Sequence, residues 1–164
     1  MTMIDPSNVD YHEIARRGDT EVLTMFLQAG LDPNLTDERG YSLLMIAAYN
    51  DQPEMVDLLL EQSADPDTPD ASGNTPLMGT VFKGYLECAK RLLAGGADPQ
   101  ARNGARATAL HLAATFGQAE FAELLLAHGV DPSLPDAQGH TAEDLATFNG
   151  HEKVAELIRT ARTE

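Results

Sequence analysis

Residues 101–117 read ARNGARATALHLAATFG and set one histidine, His111, among alanines and leucines, behind an Asn-Gly pair and two arginines. Imidazole exchanges a proton near neutral pH and is the commonest metal ligand, so His111 is the first candidate for chemistry. Three further histidines offer less. His12-Glu13 and His151-Glu152 open HEIAR and HEKVA, and neither continues into the His-Glu-x-x-His spacing that places two zinc ligands on one helix face. His140 and Asp144 stand four apart and could share a helix face, but a metal site needs a third ligand. No phosphate-cradling glycine loop and no set of nucleophile, base and orienting group is present. The expectation is that the chain is not an enzyme and holds no metal or cofactor.

The element that must position His111 is a repeat. Asp-Pro falls at Asp32-Pro33, Asp65-Pro66, Asp98-Pro99 and Asp131-Pro132, each 33 positions after the last. In the same register come Ser42, Thr75, Thr108 and Thr141, then Leu44, Leu77 and Leu110, then the pairs Leu59-Leu60, Leu92-Leu93 and Leu125-Leu126. Self-similarity at one fixed period across several residue types marks a repeat architecture. Within a unit, the Asp-Pro turn leads into a short polar stretch such as LTDERGY or LPDAQGH, which reads as a projecting turn. The following Ser or Thr is placed to cap a helix, and Pro76 suits the first helical position. A short apolar helix follows (LLMIAAYN, LHLAATFG), then a turn and a longer helix (EMVDLLLEQ, EFAELLLAH). Gly30, Gly96 and Gly129 stop that second helix in the left-handed conformation. One such helix pair leaves its apolar faces wet, and stacking buries them.

On these residues the chain resembles ankyrin repeats. The Thr-Pro-Leu-His-x-Ala-Ala pattern appears as Thr75-Pro76-Leu77 and as Thr108-Ala109-Leu110-His111-Leu112-Ala113-Ala114, and the unit ends as Gly96-Ala97-Asp98-Pro99 and Gly129-Val130-Asp131-Pro132. The resemblance implies an all-α repeat solenoid of helix-turn-helix units with projecting β-hairpin loops, forming one domain over residues 1–164. Its units are about 8–34, 35–67, 68–100, 101–133 and 134–164. The first, with Arg16 and Arg17 in its first helix, and the last, with Arg159 in place of the second leucine of the pair, read as polar caps, so the chain reads as a whole protein. In the family, the histidine at the place of His111 is structural and bonds backbone near the hairpin. Met45, Met78 and Asp144 hold the same register. Cys88 aligns with Met55, Phe121 and Val154, which suits a small core residue.

The resemblance further implies that a partner protein is bound on the concave face, by hairpin tips and first helices. Mapped onto this chain, that face carries Glu38, Arg39 and Tyr41 with Tyr49 and Asn50; Asn74 with Phe82 and Lys83; Phe116; and His140 with Phe148. Aromatic rings therefore recur at the variable helix positions, and interface anchors are typically aromatic or arginine.

Two departures stand out. In the fourth unit Arg106 occupies the place of Gly40, Gly73 and Gly139, while Asn103-Gly104 supplies a tight-turn signal two residues early, so this tip is expected to differ in shape. Arg102 and Arg106 make it a basic spot suited to an acidic group on the partner. In the third unit Gly79 and Thr80 replace Ile46-Ala47 and Leu112-Ala113, leaving a gap that Met78 or Phe82 is expected to fill.

The formal net charge is −15, which repels phosphate backbones and excludes nucleic acid while favouring a partner with a basic surface. Residues 1–10 hold no basic segment followed by an apolar one, and no apolar run approaches membrane-spanning length. A single cysteine suits a reducing compartment. These features predict a cytoplasmic, non-membrane protein of bacterial type, acting as a binding adaptor or inhibitor such as an immunity or antitoxin-like protein. The alternative is an accessory factor for an enzyme, handling a ligand such as haem through His140 or His151.

Overall fold

The computed structural model describes residues 8–163. Residues 1–7, within the segment read for a leader, and the closing Glu164 lie outside the described residues. Among the described residues the chain forms ten helices: Tyr11–Arg17 (α1), Thr20–Gln28 (α2), Leu43–Tyr49 (α3), Pro53–Glu61 (α4), Pro76–Lys83 (α5), Leu86–Ala94 (α6), Ala109–Phe116 (α7), Ala119–Ala127 (α8), Ala142–Phe148 (α9) and Glu152–Ala161 (α10). The first helices start where the repeating hydroxyl residues stand. Ser42, Thr75 and Thr141 each accept the backbone N–H three residues on, satisfying a donor that a helix start leaves free.

The odd-numbered helices pack on one another in one layer and the even-numbered helices in a second, giving an all-α repeat solenoid. The core lies between the layers. Leu44, Leu77 and Leu110 enter it from the first helices, and Leu59, Leu92, Leu125 and Ile158 from the second, all buried. Burying each such side chain contributes roughly 1.5–3 kcal/mol. The second residue of the pair is half-buried at Leu60 and Leu126 and buried at Leu93, and in the last unit Arg159 stands there and bonds Glu143 at 3.1 Å.

Polar side chains also join successive units. Gln52 Nε2 donates to the carbonyl of Arg16 at 3.1 Å, and Gln118 Nε2 donates to that of Val81 at 2.6 Å. His151 Nε2 lies 3.1 Å from the carbonyl of Thr115 in the same register. At the Asp-Pro turns, Asn34, Asp67 and Gln100 side chains accept the backbone N–H of Asp65, Asp98 and Asp131 at 2.7, 2.9 and 3.0 Å.

The hairpins are built on one carboxyl or amide oxygen each. Asp37, Asp70 and Asp136 Oδ1 accept the backbone N–H groups two and four residues on, all at 2.9 Å. Asn103 Oδ1 does the same for Ala105 and Ala107 at 3.0 Å. The fourth tip therefore keeps the shape of the others, against the expectation from Asn103-Gly104. Asn103 fills the aspartate register, and Arg106 takes the glycine's left-handed conformation at φ 58°. Neighbouring tips touch through backbone: Gly104 N–H donates to Ser72 and Ala137 N–H to Ala105, both at 2.9 Å. Strand pairing within a tip is limited to one antiparallel bridge, between Thr36 and Ser42, among the described residues.

The gap at Gly79 is filled from the preceding unit rather than by Met78 or Phe82. A Cβ on Gly79 would come within 2.7 Å of Cε2 of Tyr49, so the ring of Tyr49 occupies the space a side chain would need. Thr80, buried in the alanine position, donates its hydroxyl to the carbonyl of Leu77 at 2.7 Å.

Two consequences are measurable by urea unfolding. Gly79→Ala gains about 1 kcal/mol of helix propensity, yet the ring of Tyr49 must shift, which typically costs about 1–3 kcal/mol. The variant should be the less stable protein, and in a Tyr49→Ala background the same substitution should stabilise; a stabilising effect in both backgrounds would contradict the packing. Ser63 and Asp51 take left-handed φ values of 64° and 53° where other units place glycine. Ser63→Gly and Asp51→Gly should each raise stability by about 0.5–1 kcal/mol, because the strain of a side chain there is removed.

Candidate functional site

His111 is buried and its ring is fully employed. Nδ1 accepts the backbone N–H of Thr108 at 3.1 Å, with the Thr108 hydroxyl 2.9 Å away. The ring proton therefore sits on Nε2, which donates across the unit boundary to the carbonyl of His140 at 3.2 Å. A second proton on Nδ1 would confront the N–H of Thr108. Burial holds the imidazole pKa below its ordinary value of 6.5, against the opposing pull of the His140 carbonyl. The histidine is a strut between units. His12, which stands 33 positions before Met45, does the same work, with Nε2 3.1 Å from the carbonyl of Tyr41. That role was available from the period alone.

The remaining chemical candidates do not converge. Cys88 is buried, and burial, then the nearby carboxylate of Asp51, push its thiol up to about 12. Its Sγ lies 3.7 Å from Asp51 Oδ1. His151 is engaged with the Thr115 carbonyl, and Asp144 receives the N–H and hydroxyl of Thr141 at 2.8 and 2.9 Å, bonds that hold its carboxyl below the usual range. His140 is exposed, with Nδ1 3.8 Å from Asp136 Oδ2. Among the described residues no three His, Cys, Asp or Glu side chains gather where a metal ion could be held.

The face formed by hairpin tips and first helices divides into two groups. Some of its expected residues are committed to the scaffold. Tyr49 is half-buried over Gly79 and 6.2 Å from the ring of Tyr41. Asn50 donates to the carbonyl of Ile46 at 2.7 Å. Asn74 accepts from Asn103 Nδ2 at 3.0 Å, across two hairpins. Arg102 donates from Nε to the carbonyl of Arg106 at 2.8 Å and also to that of Pro135 in the next unit, so its guanidinium is a brace. The others face solvent. Glu38, Arg39, Lys83, Arg106 and His140 are exposed, and so are three phenyl rings: Phe82 at 43%, Phe116 at 49% and Phe148 at 89%. Phe82 and Phe116, on neighbouring first helices, meet edge to face at 5.6 Å. Phe148 borders an open cavity of about 500 Å³ lined also by His140, Asp144 and Leu145.

No helix of the described residues is long and apolar enough to cross a membrane. A family model described as ankyrin repeats (3 copies) matches residues 11–103 and again 81–163. A curated Pseudomonas aeruginosa protein described as an ankyrin repeat protein is 44% identical over 44 residues, covering 27% of this chain and 26% of that protein. The match thus spans about a quarter of the relative's own length.

The His111 strut makes stability depend on pH. Its folded pKa lies below the unfolded value of 6.5, so the unfolded chain takes up a proton that the folded chain refuses. This contribution is whole above that value and is lost as pH falls below it toward the folded pKa. His111→Met installs the residue of the two preceding units. Between about pH 7.5 and about 5.5 the unfolding free energy of the variant should fall less steeply than that of the wild type; equal slopes would show that the imidazole is not held neutral.

Proposed function

The chain belongs to the ankyrin-repeat family, and on that premise we propose that it is a non-catalytic binding module whose hairpin and first-helix face, concave in this family, covers a partner protein. Ankyrin repeats generally mediate protein–protein interaction. The single observation that carries the reading here is the set of three exposed phenyl rings, Phe82, Phe116 and Phe148, on the first helices. Phe82 and Phe116 gain from their edge-to-face contact, but about half of each, and nearly all of Phe148, stays in water, and a partner that covers the rings removes that apolar area from solvent. Lys83 follows Phe82 at the end of α5, and Glu38, Arg39, Arg106 and His140 are exposed on the hairpins.

The whole of residues 1–164 acts as one such domain in this reading, of bacterial type and working in the cytoplasm as an adaptor or as an inhibitor of the immunity or antitoxin kind. The net charge disfavours nucleic acid. About half of the acids that produce it lie on the second helices and the Asp-Pro turns, so a basic surface on a partner would meet that side of the molecule.

The test is a quantitative pull-down from lysate of the source cell. It sets the wild type beside a Phe82→Ala, Phe116→Ala, Phe148→Ala variant, with equal urea midpoints established first. Truncating an interface anchor costs about 2 kcal/mol or more, roughly 30-fold in affinity. A protein retained by the wild type should be lost from the variant. Equal retention by both would remove the rings from the interface and the reading with them.

A further inference from the structure

The charge of this protein is not spread evenly: the first helices of the three central units, which carry Phe82 and Phe116, lack acids, whereas α9, which carries Phe148, has Glu143 and Asp144. The three central first helices, α3, α5 and α7, contain no Asp or Glu, and Lys83 is their only lysine or arginine. By contrast α4 carries Glu54, Asp57 and Glu61, and α8 carries Glu120 and Glu123, with no lysine or arginine on either. In the hairpins, Asp37, Asp70 and Asp136 are turned inward to hold backbone N–H groups. The fourth hairpin has Asn103 in that place, so its turn is made without an acid. Glu38 is the one acid exposed at these tips, and Arg39 stands next to it.

The cations are sorted in the opposite sense. Arg16, Arg17, Lys90, Arg91, Arg159 and Arg162 each have a carboxylate within 4.0 Å, and Arg102 is spent on carbonyls. Among the described residues Arg39, Lys83 and Arg106 are exposed on the hairpins and the end of α5 with no carboxylate within 4.0 Å; outside this face the same holds there only of Lys153 on α10. At physiological ionic strength charges are screened over about 8 Å, while packed helix layers stand about 8–10 Å apart. A ligand seated on the first-helix face therefore feels Arg39, Lys83 and Arg106 more strongly than the carboxylates beyond the second layer.

Resting on the proposed role of this face, we infer that what enters it is an acidic amphipathic segment of a partner protein, with carboxylates flanking aromatic or branched apolar side chains. The apolar groups cover Phe82, Phe116 and Phe148. The carboxylates meet Arg39, Lys83 and Arg106. Charge complementarity of this kind selects partners as well as strengthening contact, and here it opposes the net charge of the chain, which acts at longer range.

The probe is a random peptide library displayed on phage, selected on the immobilised full chain at about 0.15 M salt. Enriched peptides are then synthesised and titrated against three proteins: the wild type, the triple phenylalanine variant, and an Arg39→Ser, Lys83→Asn, Arg106→Gly variant. Each replacement in the last is the residue another unit carries in that register, which keeps the fold. The expected result is a set of net-negative peptides with aromatic or leucine anchors whose affinity falls at least tenfold on either variant. Net-positive peptides lost only from the phenylalanine variant would overturn the acidic-segment inference while leaving the face as the binding surface. Peptides that bind the phenylalanine variant as tightly as the wild type would overturn both. A selection that enriches nothing above bare support would overturn the inference and leave the role of the face to the pull-down.

Discussion

Each helix pair in this chain has more apolar surface than it can cover by itself, and only the next pair supplies the cover. That constraint explains why the same positions recur as core. Leu44, Leu77 and Leu110 come from one layer and Leu59, Leu92, Leu125 and Ile158 from the other, all buried. Burial by stacking is tolerant of register, since any apolar neighbour would do. Hydrogen bonds are not tolerant in that way, and the chain adds them at each boundary. Gln52, Gln118 and His151 reach the carbonyl ends of the preceding first helices, and Asn34, Asp67 and Gln100 take the N–H of the next Asp-Pro turn.

The same constraint accounts for residues that first look chemical. A histidine buried in an apolar stack must satisfy both ring nitrogens or leave a polar atom unpaired, which is costly. His111 meets this by joining Thr108 behind it to His140 ahead of it, and a fixed tautomer follows. Arg102 is an arginine put to the same use, its guanidinium shared between two hairpin carbonyls. What the scaffold consumes is unavailable to a partner, so the candidate surface shrinks to the side chains the stack does not need.

Those remaining side chains have a consistent character. The first helices turn their buried sides into the core, and their outer ends bear Phe82, Phe116 and Phe148. By contrast the second helices α4 and α8 carry acids and no lysine or arginine. Exposed phenyl rings together with exposed cations on the hairpins and the end of α5, on a protein of formal net charge −15, are a local property that composition conceals.

The sequence by itself determined the architecture. A 33-residue period in Asp-Pro, hydroxyl and leucine positions leaves few ways to bury the apolar residues, and the capping hydroxyls and helix-ending glycines say where each helix begins and stops. It also contained, unread, the place of His12 in the His111 register and of Asn103 in the aspartate register, since both follow from counting. Tertiary structure alone decided what fills the space at Gly79 and which surface residues remain free. The ring of Tyr49 lies over Gly79 because the two units approach closely there, and Arg102 and Asn74 are held by groups 33 and 29 residues away. Spacing along the chain specifies which side of an element a residue occupies. It does not specify what the neighbouring unit places against that side, because such contacts depend on the distance and rotation between units, which only the packed array sets.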